Sequence, residues 1–146
     1  MRQALIERFG PDVVGPDGAD RAALARRVFN DPDELEWLER LLHPKVVAEH
    51  SAWREELGNS AEPPLLTVTE IPLLYETGGE ARFDAVVVIT APPEVRAARR
   101  EVADDRERRL LPEDEKVRRA DYSYVNDGTL EELDAFVAEV VALLTS

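Results

Sequence analysis

Residues 84–94 read DAVVVITAPPE, and this stretch decides the fold class. The run from 85 to 89 is apolar without interruption, which is typical of a strand covered on both faces of a sheet. The two prolines that follow are tolerated in the first turn of a helix, so a helix is predicted to begin directly after the strand. A strand that leads into a helix is the building unit of an α/β protein.

Two more strand candidates flank this one. Residues 65–71 (LLTVTEI) are rich in β-formers, and residues 122–126 (YSYVN) form a weaker candidate. Strands separated by helical crossovers predict a parallel sheet. We therefore expect a single α/β domain over residues 1–146, with three α/β/α layers and a small parallel sheet of about three strands. Ligands bind such sheets at the carboxyl ends of the strands, where 65–71 runs into IPLLYE.

Local signals place the helices. Asp20 is a predicted N-cap, and Asp31 followed by Pro32 has the favoured order of a cap and a first-turn proline. Pro44 disfavours helical backbone at His43, so the helix is predicted to bend or restart there. The T-x-x-E pattern at 129–132 predicts a capping box for the last helix.

Composition excludes several classes of function. Of the 146 residues, 44 % are hydrophobic and 34 % are charged, as in ordinary globular proteins. The absence of cysteine excludes disulfides and cysteine–metal sites, and with two histidines no metal-binding residues are expected. No apolar run has the length of a membrane span or signal peptide, so a cytoplasmic protein without a membrane partner is expected. The net charge of −13 argues against a nucleic-acid partner.

Basic residues are concentrated in one segment. Residues 96–119 contain eight arginines and one lysine, half of the 18 basic residues of the chain, against seven acidic residues. One interpretation is a solvated helix with ion pairs between neighbouring turns. The other is an arginine-bearing segment over an anionic ligand such as phosphate.

Four stretches taken in order carry a resemblance to a known family. They are DRAALARRVFNDP, LERLLHPKV, EIPLLYETGGEARFDAVVVITAPPEVRAAR and LLPEDEKVRRADYSYVNDGTLEEL. Together they cover nearly the whole chain, which resembles dephospho-CoA kinase, a P-loop kinase related to the nucleoside monophosphate kinases. The resemblance implies a partial P-loop kinase-like fold. It also implies a reaction in which the γ-phosphoryl group of ATP is transferred to the ribose 3′-hydroxyl of dephospho-CoA, giving coenzyme A.

The resemblance also implies which residues face the acceptor substrate. They come from LLHP and IPLLYE: His43, Pro44, Pro72, Leu73, Leu74 and Glu76. Taken without the resemblance, LLHP is a helix-breaking proline beside a capping histidine. IPLLYE is then a loop that leaves a strand, with its two leucines in the core.

On the nucleotide side, the resemblance implies that residues 94–120 form a lid over ATP. Arginines of this segment would stabilise the transferring phosphoryl group as catalytic residues; the candidates are Arg100, Arg106, Arg108 and Arg109. Asn126 and Asp127 would border the adenine, although the same residues also form a turn that leads into the capping box. ATP and Mg²⁺ are the implied cofactors, and dephospho-CoA and ATP the implied partners.

Two departures from the family pattern stand out. The chain contains no G-x-x-x-x-G-K-[ST] sequence, and neither of its lysines, Lys45 and Lys116, follows a glycine. The backbone amides, lysine and magnesium-binding hydroxyl of that loop are therefore missing from this sequence, as is the acidic motif beyond it that resembles the family's general base. The lid is also short. Position 1 aligns with a point beyond both motifs.

Three hypotheses remain open from the sequence. The chain is the C-terminal part of a dephospho-CoA kinase, through an internal start or a truncated gene, and is inactive alone. Alternatively, it is a non-catalytic remnant that binds a CoA-like ligand or a partner chain, or a kinase that acts on a nucleoside monophosphate. In the family's sheet the first strand lies between those matching 65–71 and 84–90. We therefore expect a three-stranded remnant of marginal stability, and the sequence leaves the oligomeric state open.

Overall fold

The computed structural model describes residues 1–29, 31–99 and 110–146. The chain forms two compact units, Met1–Pro64 and Leu65–Ser146. Helices and strands occur together, which confirms the predicted mixed α/β class.

The first unit is mainly helical. It contains α1 (Arg2–Phe9), α2 (Arg21–Val28) and α3 (Pro32–Gly58), with a 3₁₀ turn at Pro11–Val13. Between the 3₁₀ turn and α2, β1 (Val14–Gly15) pairs in an antiparallel manner with β2 (Gly18–Ala19). The core of this unit consists of apolar side chains from the first two helices and the 3₁₀ turn: Leu5, Phe9, Val13, Ala23, Leu24 and Val28.

The predicted helix caps of this unit are confirmed. The Asp20 side chain accepts a hydrogen bond from the Ala23 N–H, 2.9 Å away. Asp31 accepts from the N–H groups of Asp33 and Glu34 and precedes the first-turn proline. Each carboxylate accepts from amides that the helix itself leaves without partners. Whether such a cap forms therefore depends only on residues two or three positions apart in the sequence.

The sequence predicts that the helix bends or restarts at Pro44, and the restart is wrong. Residues Pro32–Gly58 form one continuous helix of 27 residues, with Pro44 in its interior. Proline removes a single backbone donor, so the Arg40 carbonyl loses its partner four residues ahead. The sequences on both sides of the proline are otherwise helix formers, and the helix continues through this defect.

The second unit contains a small parallel sheet. It comprises β3 (Val87–Thr90), β4 (Tyr122–Val125), α4 (Pro93–Arg99), α5 (Glu113–Arg119) and α6 (Leu130–Leu144), with a 3₁₀ turn at Glu80–Arg82. β3 and β4 are parallel, with Val87 opposite Tyr122 and Thr90 opposite Val125. The strand predictions at 84–90 and 122–126 and their parallel orientation are confirmed.

The third predicted strand is not formed. Residues 65–71 belong to no strand in the described structure. Leu65 and Val68 are 88 % and 81 % exposed, so the apolar run is not buried. A strand needs a partner for its backbone N–H and C=O groups, and none of the described strands pairs with this segment. The segment has the composition of a strand, but composition alone does not provide a neighbouring strand for its backbone hydrogen bonds.

The prediction that both faces of β3 are covered is also wrong. Val87 and Ile89 are 39 % and 46 % exposed. α6 packs beside β4, with the Phe136 ring stacked on Tyr124 at 4.9 Å between centroids. An apolar sequence allows the side chains of a strand to be buried, but the elements packed against the strand determine which of them are buried.

The last helix begins as predicted. The Thr129 hydroxyl accepts a hydrogen bond from the Glu132 N–H, and the Glu132 carboxylate accepts one from the Thr129 N–H. This is the reciprocal capping box. Among the described helices, none combines the length and apolar character that crossing a membrane requires.

Candidate functional site

The turn of IPLLYETGG closes on its two glycines. The Gly79 N–H donates to the Leu74 carbonyl at 2.8 Å, and the Gly78 N–H donates to the Tyr75 carbonyl at 3.2 Å. Gly78 has φ of +63°. This pair of bonds around a left-handed residue is a Schellman closure, which explains why glycine stands there. The closure presents Pro72 exposed at the start of the turn and leaves Leu73 partly buried.

Glu76 connects this turn to the segment that begins at Leu110. Its Oε1 lies 2.6 Å from Lys116 Nζ on α5. The same oxygen accepts a hydrogen bond from the Leu111 N–H at 3.0 Å. The two side chains of the ion pair are only 14 % and 17 % exposed, so water screens their attraction little. The second carboxylate oxygen, Oε2, is buried and has no hydrogen-bond partner among the described residues.

The environment of Glu76 favours its ionised form. Burial raises the pKa of this carboxyl group, but the hydrogen bonds from Lys116 and Leu111 outweigh burial, and the pKa is lowered overall. Hydrogen bonds donated to a carboxylate stabilise its charged form, which accounts for the direction. Glu76 is therefore a carboxylate at neutral pH, with Oε1 already occupied.

A second contact joins the same turn to α5. Arg119 forms an ion pair with Glu80, which begins the 3₁₀ turn after the glycines. The guanidinium carbon of Arg119 also lies 4.4 Å from the centroid of the Tyr75 ring, within the range of a cation–π contact. Tyr75 is 7 % exposed, so this contact is largely shielded from water.

The carboxyl ends of the two parallel strands form the other part of the candidate site. The Asn126 N–H donates to the Thr90 carbonyl at 2.7 Å, which joins the ends of β4 and β3. Arg99, the last residue of α4, donates to the Asn126 carbonyl at 3.3 Å. Asn126 is partly buried and Asp127 is exposed. The predicted nucleotide-side pair thus lies at the sheet edge where parallel sheets bind ligands.

The remaining predicted residues lie elsewhere. His43 and Pro44 are exposed positions of α3 in the first unit. The four lid arginines, Arg100, Arg106, Arg108 and Arg109, lie outside the described residues. The helices on either side of that segment are joined by an ion pair, with Arg96 Nη1 2.6 Å from Glu113 Oε1.

The described residues do not supply a metal site. No group of three or more His, Asp or Glu side chains among them could hold a metal ion. The carboxylate of Glu76, which would be a natural magnesium ligand, is paired with Lys116 instead. The described residues therefore form no site that would hold Mg²⁺ without the phosphates of a bound nucleotide.

Sequence reasoning missed three residues of this arrangement: Lys116, Arg119 and Tyr75. The first two lie three positions apart on α5, and this spacing puts both cations on one face of the helix. This spacing indicates that the two cations can contact the same neighbouring segment. The sequence does not reveal which acids they meet, because Glu76 and Glu80 lie far away along the chain.

Comparison with known proteins identifies relatives of this chain. The family model described as dephospho-CoA kinase matches residues 1–132. A dephospho-CoA kinase of Thermus thermophilus is 39 % identical over 152 residues, covering 99 % of this chain and 72 % of the relative. One of Anaeromyxobacter dehalogenans is 45 % identical over 139 residues, covering 88 % of this chain and 64 % of the relative.

Solved structures give the same picture of the fold. A crystal structure of a Thermus thermophilus protein matches with a TM-score of 0.71 and 37 % identity, covering 99 % of this chain and 77 % of that one. A dephospho-CoA kinase from Campylobacter jejuni matches with a TM-score of 0.68. At 22 % identity over 97 % of this chain and 74 % of that one, the second match concerns the fold alone.

Proposed function

Since this chain belongs to the dephospho-CoA kinase family, we propose that it carries the acceptor side of that family's site and binds dephospho-CoA. In the family's reaction the ribose 3′-hydroxyl of this acceptor receives the γ-phosphoryl group of ATP. The observation that carries the proposal is the turn at 72–79, which is closed by glycines and anchored through Glu76. Such a rigid turn is suited to holding a substrate in one orientation.

We assign acceptor contacts within each unit separately. In the first unit these are His43 and Pro44 of α3; in the second they are Pro72, Leu73 and Leu74 of the turn, which Glu76 holds in place. Apolar side chains with a few placed polar groups are the usual composition of a small-molecule site. We assign Asn126 and Asp127, at the end of β4, to the border of the adenine of ATP.

We assign the role of a lid over ATP to the segment 94–120 and restrict the cationic role to four of its arginines. Phosphoryl transfer needs positioning and charge stabilisation more than covalent chemistry. Arg100, Arg106, Arg108 and Arg109 are the candidates for this role. The 146-residue chain lacks the G-x-x-x-x-G-K-[ST] loop that would cradle the ATP phosphates. We therefore propose that this chain by itself binds the acceptor without phosphorylating it.

Isothermal titration of the full chain with dephospho-CoA, and separately with AMP, tests the proposed acceptor. Saturable binding of dephospho-CoA that is tighter than binding of AMP supports it. Tighter binding of AMP favours a nucleoside monophosphate acceptor, and no binding of either ligand contradicts an acceptor site in this chain. His43→Ala should weaken dephospho-CoA binding about tenfold, the size of one lost hydrogen bond. His50→Ala, on the same helix, is the matched control and should leave the affinity unchanged.

A kinase assay tests the catalytic part of the proposal. With ATP, Mg²⁺ and dephospho-CoA, the chain alone should give no coenzyme A above background. Turnover of about 1 s⁻¹ or faster, the lower end for kinases, would contradict the proposal and require a phosphate cradle of another kind.

A further inference from the structure

Two ion pairs connect one face of α5 to the turn that carries the proposed acceptor residues. Lys116 contacts Glu76, and Arg119 contacts Glu80. The Leu111 N–H adds a third contact, also to Glu76. We call these three contacts the α5 tether. The cations lie three positions apart on the helix and the acids four apart along the turn, so one rigid face of α5 meets both ends of the glycine closure.

The tether also connects to the sheet. Asp121 comes just after Ala120, the C-cap of α5, and its Oδ2 accepts a hydrogen bond from the Val86 N–H at 2.8 Å, next to the start of β3. α5 is thus fixed at its end to the sheet and along its face to the turn. Residues 65–71, which lead into the turn, form no strand ladder. The position of the turn therefore depends on side-chain contacts such as these.

The geometry gives Glu76 a different task from direct contact with substrate. Its Oε1 accepts from Lys116 and Leu111, and its Oε2 is buried. One oxygen is thus occupied and the other is buried, so neither is presented as in an exposed, substrate-binding carboxylate. The exposed and half-exposed residues of the turn, Pro72 to Leu74, are the ones in a position to meet a ligand.

We propose that Lys116 is a positioning residue for the acceptor site, acting through Glu76 to hold the 72–79 turn in its binding geometry. This inference rests on the proposed function for the identity of the acceptor. The physical basis is the low exposure of the pair, because a poorly screened ion pair with an additional amide donor resists displacement. An exposed pair on the same helix, Arg118 with Glu115, is 3.9 Å apart with the arginine 71 % exposed, and we expect it to contribute little.

The test compares Lys116→Met with Arg118→Met in the full chain by amide hydrogen exchange. Lys116→Met should accelerate exchange at Leu111, Gly78 and Gly79 about tenfold relative to Arg118→Met. Exchange at Asn126, whose N–H bonds to Thr90 in the sheet, should stay the same in both variants. Acceleration that is equal in turn and sheet would reveal general destabilisation and overturn the proposal.

The second measurement is the Kd for dephospho-CoA. Lys116→Met should raise Kd about tenfold, Arg118→Met should leave it within about twofold, and Lys116→Arg should restore most of the affinity because the charge is retained. Accelerated turn exchange with an unchanged Kd would overturn the positioning role. If the unmodified chain binds no dephospho-CoA, the proposed function fails. In that case amide hydrogen exchange tests whether Lys116 holds the turn, and equal exchange rates in the two methionine variants would overturn the proposal.

Discussion

The guanidinium of Arg119 lies over the ring of Tyr75, with 4.4 Å between the guanidinium carbon and the ring centroid. The same guanidinium forms an ion pair with Glu80, so one side chain makes both an aromatic contact and an ionic contact. Burial raises the pKa of the Tyr75 hydroxyl, and the charge of Arg119 opposes that rise. The arrangement provides a direct probe of whether α5 and the turn stay together in solution.

Replacing Arg119 by methionine should raise the pKa of Tyr75 further. The variant removes the cation that favours the phenolate and leaves the burial and the negative charges of Glu80 and Asp121 in place. A spectrophotometric phenol titration in a background with Tyr122→Phe and Tyr124→Phe isolates this group. Arg118→Met serves as the control for loss of a cation on the same helix. A pKa of Tyr75 that is the same in both variants would mean that Arg119 does not lie over the ring.

Acid should weaken the second unit through Glu76. The folded-state pKa of this carboxyl group is lowered from 4.5, so its contribution to stability is complete above that unfolded value. The contribution is lost as pH falls through the lower, folded-state value, when the carboxyl is protonated and the pairing with Lys116 breaks. In Glu76→Gln the unfolding free energy of this unit should fall by about 1–3 kcal/mol at neutral pH. It should then depend less on pH below about pH 4.

Denaturant unfolding at several pH values measures this effect. Glu36→Gln, which removes the acid of a pair 3.5 Å long whose side chains are 59 % and 69 % exposed, should change the unfolding free energy by less than about 0.5 kcal/mol. If Glu76→Gln and the unmodified chain lose stability in parallel over the acid range, another carboxylate is responsible.

The glycine closure predicts a graded response at position 78. Gly78 has φ of +63° and no atom within 4 Å of the place where a Cβ would stand, so backbone conformation alone decides the effect of a side chain. Gly78→Ala should destabilise the second unit by about 1–2 kcal/mol, and Gly78→Asn by less, since asparagine adopts this conformation more readily. Gly58→Ala, at the end of α3 with open space around it, is the matched control and should not destabilise. Equal stability of the alanine and asparagine variants at position 78 would contradict the left-handed turn.

The exposed apolar segment at 65–71 predicts a contrast between two leucines. Leu5 is 2 % exposed in the core of the first unit, and Leu65 is 88 % exposed. Leu5→Ala should lower the unfolding free energy of its unit by about 2–5 kcal/mol, whereas Leu65→Ala should change it by less than about 0.5 kcal/mol. Denaturant unfolding of each variant provides the comparison. A loss of several kcal/mol at Leu65 would show that this segment is a buried strand after all.

The parts of the fold that the sequence predicts correctly are those with short-range causes. The caps at Asp20, Asp31 and Thr129 each satisfy amides two or three residues away, so the pattern and the structure agree. The parallel orientation of residues 84–90 and 122–126 follows from the helical crossover between them.

The sequence is less informative about features that depend on contacts between residues far apart along the chain. Residues 65–71 are strand-like in composition, yet strand formation requires a neighbour that the described structure does not provide. The sequence predicted that Glu76 lies near the end of this segment, but it could not reveal that Lys116 and Leu111 occupy its carboxylate. The sequence predicts a bend or restart of the helix at Pro44, and the helix does not restart because a single missing hydrogen bond is too small a defect to end it.

The division of the chain into two units also divides its chromophores. Trp37 and Trp53 both lie within Met1–Pro64, and Tyr75, Tyr122 and Tyr124 all lie within Leu65–Ser146. Tryptophan emission therefore reports on the first unit, and tyrosine absorbance reports on the second. A single unmodified sample contains separate optical reporters for each unit, so their unfolding can be followed independently without any introduced label.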